Sequence, residues 1–182
     1  PITTALSVAG DDGRTDPTNL DRDLGPNALD QRHTFSGSIV AMPRFERDGA
    51  LGAILNDNVF GVAIQLASGI PISLRSSAEL NNDGTLSDRP QGATRNSLNL
   101  PARKNIDARY SRRFRIQGNM AAEVIAEVKN LFNTIQTSSV NRNITTNAQG
   151  VPTVALPTSG DQLQPTGGYE QRQFQLGFKF TF

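Results

Sequence analysis

The feature that most constrains this chain is the alternation in residues 171–182, QRQFQLGFKFTF. Phe174, Leu176, Phe178, Phe180 and Phe182 occupy even positions, and Gln173, Gln175, Gly177, Lys179 and Thr181 occupy odd ones. Successive side chains of a β-strand point to opposite faces. One face of this strand therefore carries four Phe and a Leu, and the other is polar and partly charged. A sheet in water hides such a face beneath a helix or a second sheet. A membrane-spanning barrel turns it to lipid and its polar face to the lumen, in segments of about ten residues. The rest of the chain decides between protein and lipid as the cover.

Other segments repeat the pattern. In residues 58–74 the even face holds Phe60, Val62, Ile64, Leu66, Ile70, Ile72 and Leu74, broken by Ser68. The whole run is read as one long strand, with Pro71 near a weakly paired end. Residues 104–116 place Ile106, Ala108, Tyr110, Phe114 and Ile116 on the even face, with Arg112 as the one interruption. A long Arg side chain near a boundary can snorkel. Gln117-Gly118-Asn119 reads as a tight hairpin turn. Residues 120–133 fit two templates: a strand, or a helix with Ala121, Val124, Ile125, Val128, Leu131 and Phe132 on one stripe. The short turn before them favours the strand. Residues 31–43 alternate less cleanly, with Phe35 and Ile39 on one face and Val40 and Met42 on the other; His33 near their start reads as a strand-edge polar residue. Residues 1–9 read as the end of a further strand.

The links differ in length. Residues 10–30 form an acidic loop, read as a solvated surface loop; 44–57 is a connector; 75–103 and 134–168 are long loops. A structureless loop of that length counts against a compact domain. With the end of the last strand at the periplasm, counting back places the loops 10–30, 75–103 and 134–168 outside the cell. The links 44–57 and 117–119 fall inside. Outer-membrane barrels sort their loops this way. The expected fold is all-β, an antiparallel meander of about six long strands that is a fragment of a transmembrane barrel, since closure takes about eight or more. The chain opens at Pro1, and further strands are expected upstream. No helical span is expected, because the long apolar charge-free run, 58–74, is shorter than the roughly 18 residues a helix needs and contains Gly61, Gly69 and Pro71.

The same residues exclude several functions. The chain has no Cys and a single His, so disulfides, Cys-based metal sites and His-dependent catalysis are not expected. Eighteen Lys and Arg nearly balance 17 Asp and Glu, so global charge does not call for nucleic acid. No nucleophile stands at a meaningful spacing from a base, so no enzyme and no cofactor are expected. Glu79, Asn81, Asp83 and Gly84 follow the first half of a calcium loop, but Pro90 stands where the twelfth-position Glu belongs. Asn81 and Asp83 are weak metal candidates. Asp107, Arg109, Arg113, Arg115, Glu123, Glu127 and Lys129 share the polar phase of two neighbouring strands. They read as a charged ladder facing a lumen, or as simple polar filling of a wet interior. Phe60, Val62, Ile64, Leu66, Phe174, Leu176, Phe178 and Phe180 read as facing lipid.

Several motifs occur in a fixed order. They are Asp30-Gln31-Arg32-His33, Ser68-Gly69-Ile70-Pro71, Asn81-Asn82-Asp83-Gly84, Asp88-Arg89-Pro90 and Arg95-Asn96-Ser97. After them come Asn105-Ile106-Asp107, Arg109, Ser111-Arg112 and Phe114, then Glu127 with Asn130-Leu131-Phe132-Asn133, then the Phe-ended strand. In this order the chain resembles the C-terminal barrel part of TonB-dependent outer-membrane receptors of the Oar-like group. It departs from that pattern at Asn81, where Asp is more usual. The resemblance implies a barrel of about 22 strands around a plug, in the outer membrane of a Gram-negative bacterium. It implies a TonB energy-coupling complex, acting through upstream residues, as a partner. It further implies a small ligand at the outer loops, outer-membrane lipid around the wall, and barrel-assembly machinery that reads Phe178, Phe180 and Phe182 as an insertion signal. The corresponding function is energised uptake of a scarce nutrient. An adhesive or structural outer-membrane barrel without transport is the alternative, and a soluble β-rich binding domain a third class.

Overall fold

The computed structural model describes residues 15–16, 19–46, 49–84, 86 and 88–182. The expected first strand, residues 1–9, lies outside the described residues. The chain is mostly β and divides into two units.

One unit is an antiparallel sheet made from the alternating segments. Its strands are β1 (Thr34–Ala41), β2 (Asn58–Ala67), β6 (Arg103–Gln117), β7 (Met120–Lys129) and β11 (Gln173–Thr181), paired in that order as a five-stranded meander. Residues directly opposite each other on paired strands share a face. Phe60 lies opposite Tyr110, Tyr110 opposite Ala126, and Ala126 opposite Leu176. Even positions thus stay together across four strands. In β1 the phase reverses: Phe35 meets Leu66 and Ile39 meets Val62, so Val40 joins the polar face.

The segment that fits helix and strand equally is a strand. It stops at Lys129, short of Asn133, because Asn130 enters the left-handed region at φ 49°. The Asn130 side chain then bridges Thr134, donating to its carbonyl and accepting from its N–H, both at 3.0 Å. The hairpin before it is the tight turn the sequence suggests. Gln117 faces Met120, and Gly118 supplies φ 59°, as a type II′ turn requires at its first central position. The connector 44–57 holds a short helix, α1 (Gly49–Leu55), that the sequence reading did not anticipate. Among the described residues no helix is long and apolar enough to cross a membrane.

The other unit gathers residues 15–33, 68–102 and 137–168 around its own core. This corrects three expectations. The strand 58–74 ends at Ala67, and the chain turns off at Ser68-Gly69. Gly69 lies so close to the Leu100 backbone that any Cβ would run into the Leu100 carbonyl, while the Leu100 N–H donates to the Ile70 carbonyl at 2.9 Å. Ile72 and Leu74 continue the even phase in sequence, yet they are buried with Leu98, Leu100, Val140 and Ile144 in the core of this loop body. Nor are the long loops structureless. They contain β3 (Pro71–Ile72) paired with β5 (Leu98–Asn99), β4 (Arg75–Ser76) paired in parallel with β9 (Asn143–Ile144), and β8 (Thr137–Val140) paired with β10 (Pro165–Gly168). Finally, the acidic loop is only partly solvated. Asp23, in a 3-10 turn over Leu20–Asp23, is buried against the guanidinium of Arg89, itself buried.

Hydrogen bonds complete that clamp. Thr15 N–H donates to Asp23 Oδ1 at 3.3 Å, Arg89 N–H to Thr15 Oγ1 at 3.2 Å, and Asn96 Nδ2 to the Pro26 carbonyl at 2.8 Å. Next to Arg89, Asp88 is fully buried, its Oδ2 accepting the Leu80 N–H at 2.6 Å. Burial pushes its carboxyl above the ordinary 3.8; the Leu80 N–H opposes the rise, and the charges of Asp83 and Glu79 add to it. A raised folded-state value means that Asp88 contributes stability fully present below pH 3.8 and lost as pH rises through the raised value. Asp88→Asn, which removes that titration, is therefore expected to gain relative to the parent as pH rises from acid to neutral. Amide exchange of the loop body, measured across that range in both proteins, checks the sign.

Candidate functional site

The sheet offers two chemically opposed faces. On the apolar face Phe174, Leu176, Phe178 and Phe180 are between 70% and 79% exposed, and Phe35, Ile39, Phe60, Leu66 and Phe114 are also exposed. Val62 and Ile64 are half-buried. Within this unit, no helix or second sheet covers that face among the described residues. Phe178 and Phe180 lie opposite Val124 and Ala122, and Phe182 follows the end of the strand, fully exposed. Arg112, the interruption on this face, lies with its guanidinium 4.9 Å from the centre of the Phe114 ring.

On the polar face the register brings the predicted charges together as cross-strand rows. Arg109 lies opposite Glu127, with Nη1 3.1 Å from Oε1. Arg113 lies opposite Glu123, and Glu123 opposite Lys179, so three strands alternate in sign. Asp107 is held at the other end of β6, where its Oδ1 accepts from Asn105 Nδ2 at 3.0 Å and from Asn130 N–H at 2.9 Å. Arg115 reaches Asp57 at 3.5 Å and Lys129 reaches Glu170 at 3.4 Å. A shallow concavity of about 310 Å³ runs along Gly61, Ala63, Asp107, Arg109, Glu127 and Lys129. The small side chains of β2 leave that room.

Three members of these rows escaped the sequence reading of the ladder. Lys179 had a usable signal, since it shares the odd phase of its strand. Asp57 and Glu170 precede strands β2 and β11, where no period marks them. The Arg109–Glu127 pair is 55% and 33% exposed at its side chains, so water screens it. A double-mutant cycle with Arg109→Ala and Glu127→Ala is expected to give a coupling of about 1 kcal/mol or less. Chemical unfolding of the four proteins measures it.

Asn81 and Asp83 bond within their own loop. Asp83 N–H donates to Glu79 Oε1 at 2.8 Å and to Asn81 Oδ1 at 2.9 Å, and Asn81 Nδ2 donates to Asp83 Oδ2 at 3.1 Å. Among the described residues, no three His, Cys, Asp or Glu side chains form a group that could hold a metal ion.

The entry and exit of the links follow from the meander. The chain reaches β1, leaves β2, enters β6, leaves β7 and enters β11 at one end of the strands; α1 and the Gly118-Asn119 turn join strands at the other. No protein family, no curated protein and no solved structure gives a significant match to this chain.

Proposed function

We propose that this chain is part of the wall and outer loops of an outer-membrane β-barrel of the TonB-dependent receptor kind, serving energised uptake of a scarce nutrient. The observation that carries the proposal is the bare apolar face of the sheet, four of whose residues on one strand are at least 70% exposed. Burial of apolar surface is worth roughly 25 cal/mol per Å², so lipid around that face recovers free energy that water withholds. The charged rows on the opposite face suit a wet lumen. The sorting of long links to one end and short ones to the other supports the same reading. Strands β1 and β11 each pair on one side only within the five-stranded sheet. Closure of the barrel falls to further strands.

In this reading the TonB complex acts through upstream residues, and the assembly machinery recognises the terminal Phe-rich strand. The test is expression within the full reading frame in a Gram-negative host. The expected protein fractionates with the outer membrane and migrates differently on gels before and after boiling. Deletion of Phe182 should lower the assembled yield while synthesis is unchanged. A monomer that stays soluble without detergent would overturn the proposal. An assembled barrel with no plug upstream would instead favour adhesion over uptake.

A further inference from the structure

A cavity of about 650 Å³ opens at the short-link end of the sheet. Arg113 and Arg115 line it from β6, Val59 from β2, and Met42, Arg44 and Phe45 from the chain just past β1. The link is tied down where it meets the cavity. Phe45 N–H donates to Asn56 Oδ1 at 2.7 Å, Asn56 Nδ2 donates back to the Phe45 carbonyl at 3.1 Å, and Arg113 N–H donates to the Asp57 carbonyl at 3.2 Å. Three guanidinium groups and one carboxylate, that of Asp57, are the charges among the described lining residues. Asp57 is engaged by Arg115, Nη2 to Oδ1 at 3.5 Å. Among the described residues neither Arg44 nor Arg113 forms an ion pair. Glu123 stands opposite Arg113, but it stands opposite Lys179 as well and does not line the cavity. Two positive charges of the wall are thus not offset by its own carboxylate.

We infer that this cavity is a binding site for a soluble phosphate monoester, its phosphate on the guanidinium groups of Arg44 and Arg113 and its organic body on Met42, Phe45 and Val59. A phosphate monoester carries nearly two negative charges at neutral pH, its second ionisation lying at about 6, and so matches two cations. A carboxylate or a phosphate diester brings a single charge and leaves the second guanidinium unmatched. Planar guanidinium forks also suit the paired oxygens of a phosphate. The volume lies inside the ordinary range for ligand pockets, roughly 300–1,000 Å³, and exceeds what a bare phosphate fills. Met42 and Phe45 are both exposed, so an organic body over them removes apolar surface from water. Val59, Arg113 and Arg115 share the odd, polar phase of their strands. That places the cavity across the sheet from the apolar face and commits it to a soluble ester over a lipid headgroup.

The site stands on the sheet and the tied link alone. It rests on the receptor reading only for the step from binding to uptake, and there it names the class of solute. The probes are butyl phosphate, dibutyl phosphate and inorganic phosphate, titrated calorimetrically into the full chain in a non-ionic detergent, about two pH units above the second phosphate ionisation. Butyl phosphate is expected to bind saturably and about tenfold or more tighter than the other two. Arg44→Gln and Arg113→Gln should each weaken it about tenfold, and Asp57→Asn, which releases Arg115, should tighten it. Arg172→Gln removes a cation just before β11, at the other end of the strands, and should leave the affinity unchanged. Unchanged amide protection of β2 and β6 qualifies each variant for the comparison. Equal affinity for monoester and diester, inorganic phosphate bound as tightly as butyl phosphate, no saturable binding, or a loss in Arg172→Gln equal to that in Arg113→Gln would overturn the inference. Outer-membrane assembly is read separately. A chain that assembles without binding butyl phosphate refutes this site alone, and one that binds without assembling refutes the barrel alone.

Discussion

Phe178→Arg is expected to cut the yield of assembled protein in the outer membrane by about 30-fold or more. Phe178 sits mid-strand in β11, opposite Val124, on the apolar face, and is 74% exposed. If hydrocarbon surrounds that face, an Arg at mid-bilayer depth costs roughly 2–4 kcal/mol, and each 1.4 kcal/mol is about tenfold in an equilibrium. Val62→Arg on β2 should behave in the same way. The prediction takes its force from a change of outcome with medium. In water, a substitution at so exposed a site typically shifts stability by about 0.5 kcal/mol or less, and a charge there would improve solubility. Gln175→Arg is the control: Gln175 lies opposite Glu127 on the polar face, where a new cation meets a carboxylate. Heat-modifiable band intensity, normalised to total synthesis, measures all three variants. Normal assembly of Phe178→Arg and Val62→Arg would mean that protein or water touches that face.

The second large effect belongs to the loop body. Arg89→Ala is expected to destabilise it by about 3–5 kcal/mol, because the Asp23 carboxylate would remain buried without its countercharge. Arg89 and Asp23 are both about 1% exposed. The Arg89 guanidinium also donates to the Arg22 carbonyl at 3.4 Å, and Arg95 donates to the Asp23 carbonyl at 3.4 Å. The substitution therefore loosens residues 15–26 from residues 88–96 as a set. Replacing both partners, Asp23→Leu with Arg89→Met, should cost much less, since a buried ion pair is often close to neutral against apolar residues of similar volume. Amide exchange separates the units. Protection should fall across the loop body in Arg89→Ala while β2, β6 and β7 keep theirs. Equal losses in both units would show that the clamp supports the whole chain.

How much of this was written in the residues depends on which structure has a period. The pleat imposes a repeat of two, and β2, β6, β7 and β11 carry it, so their phase was legible; which residues stand opposite one another was not, because the β6–β7 register shifts between Arg115 and Gln117. Arg109 and Glu127 share that phase and meet; Lys179 shares it and was available to the same reasoning. The loop body has no period to read. Its core draws Ile72 and Leu74 from one segment, Leu98 and Leu100 from another and Val140 and Ile144 from a third; four of the six lie on strands two to four residues long, and Leu74 and Leu100 lie just outside them. Alternation even misled at Ile70 to Leu74, where the even phase continues past Gly69 although the backbone has left the sheet. The ion pair Asp23–Arg89 gave no local sign either, since an acidic loop rich in Asp looks solvated until a partner far along the chain removes one member from water. The short helix Gly49–Leu55 carries two glycines, a residue that disfavours helix interiors.

The parallel pairing of Arg75–Ser76 with Asn143–Ile144 fixes a sequence of events. Val140 and Ile144 complete the core of the loop body, so that core cannot close until they meet Ile72 and Leu74, far away in the sequence. Contacts between such distant residues close slowly, because the intervening chain must lose its freedom first. The β6–β7 hairpin needs only its two-residue turn and can form early. Maturation therefore runs from a local hairpin outward, and whatever pocket the loops provide is finished last.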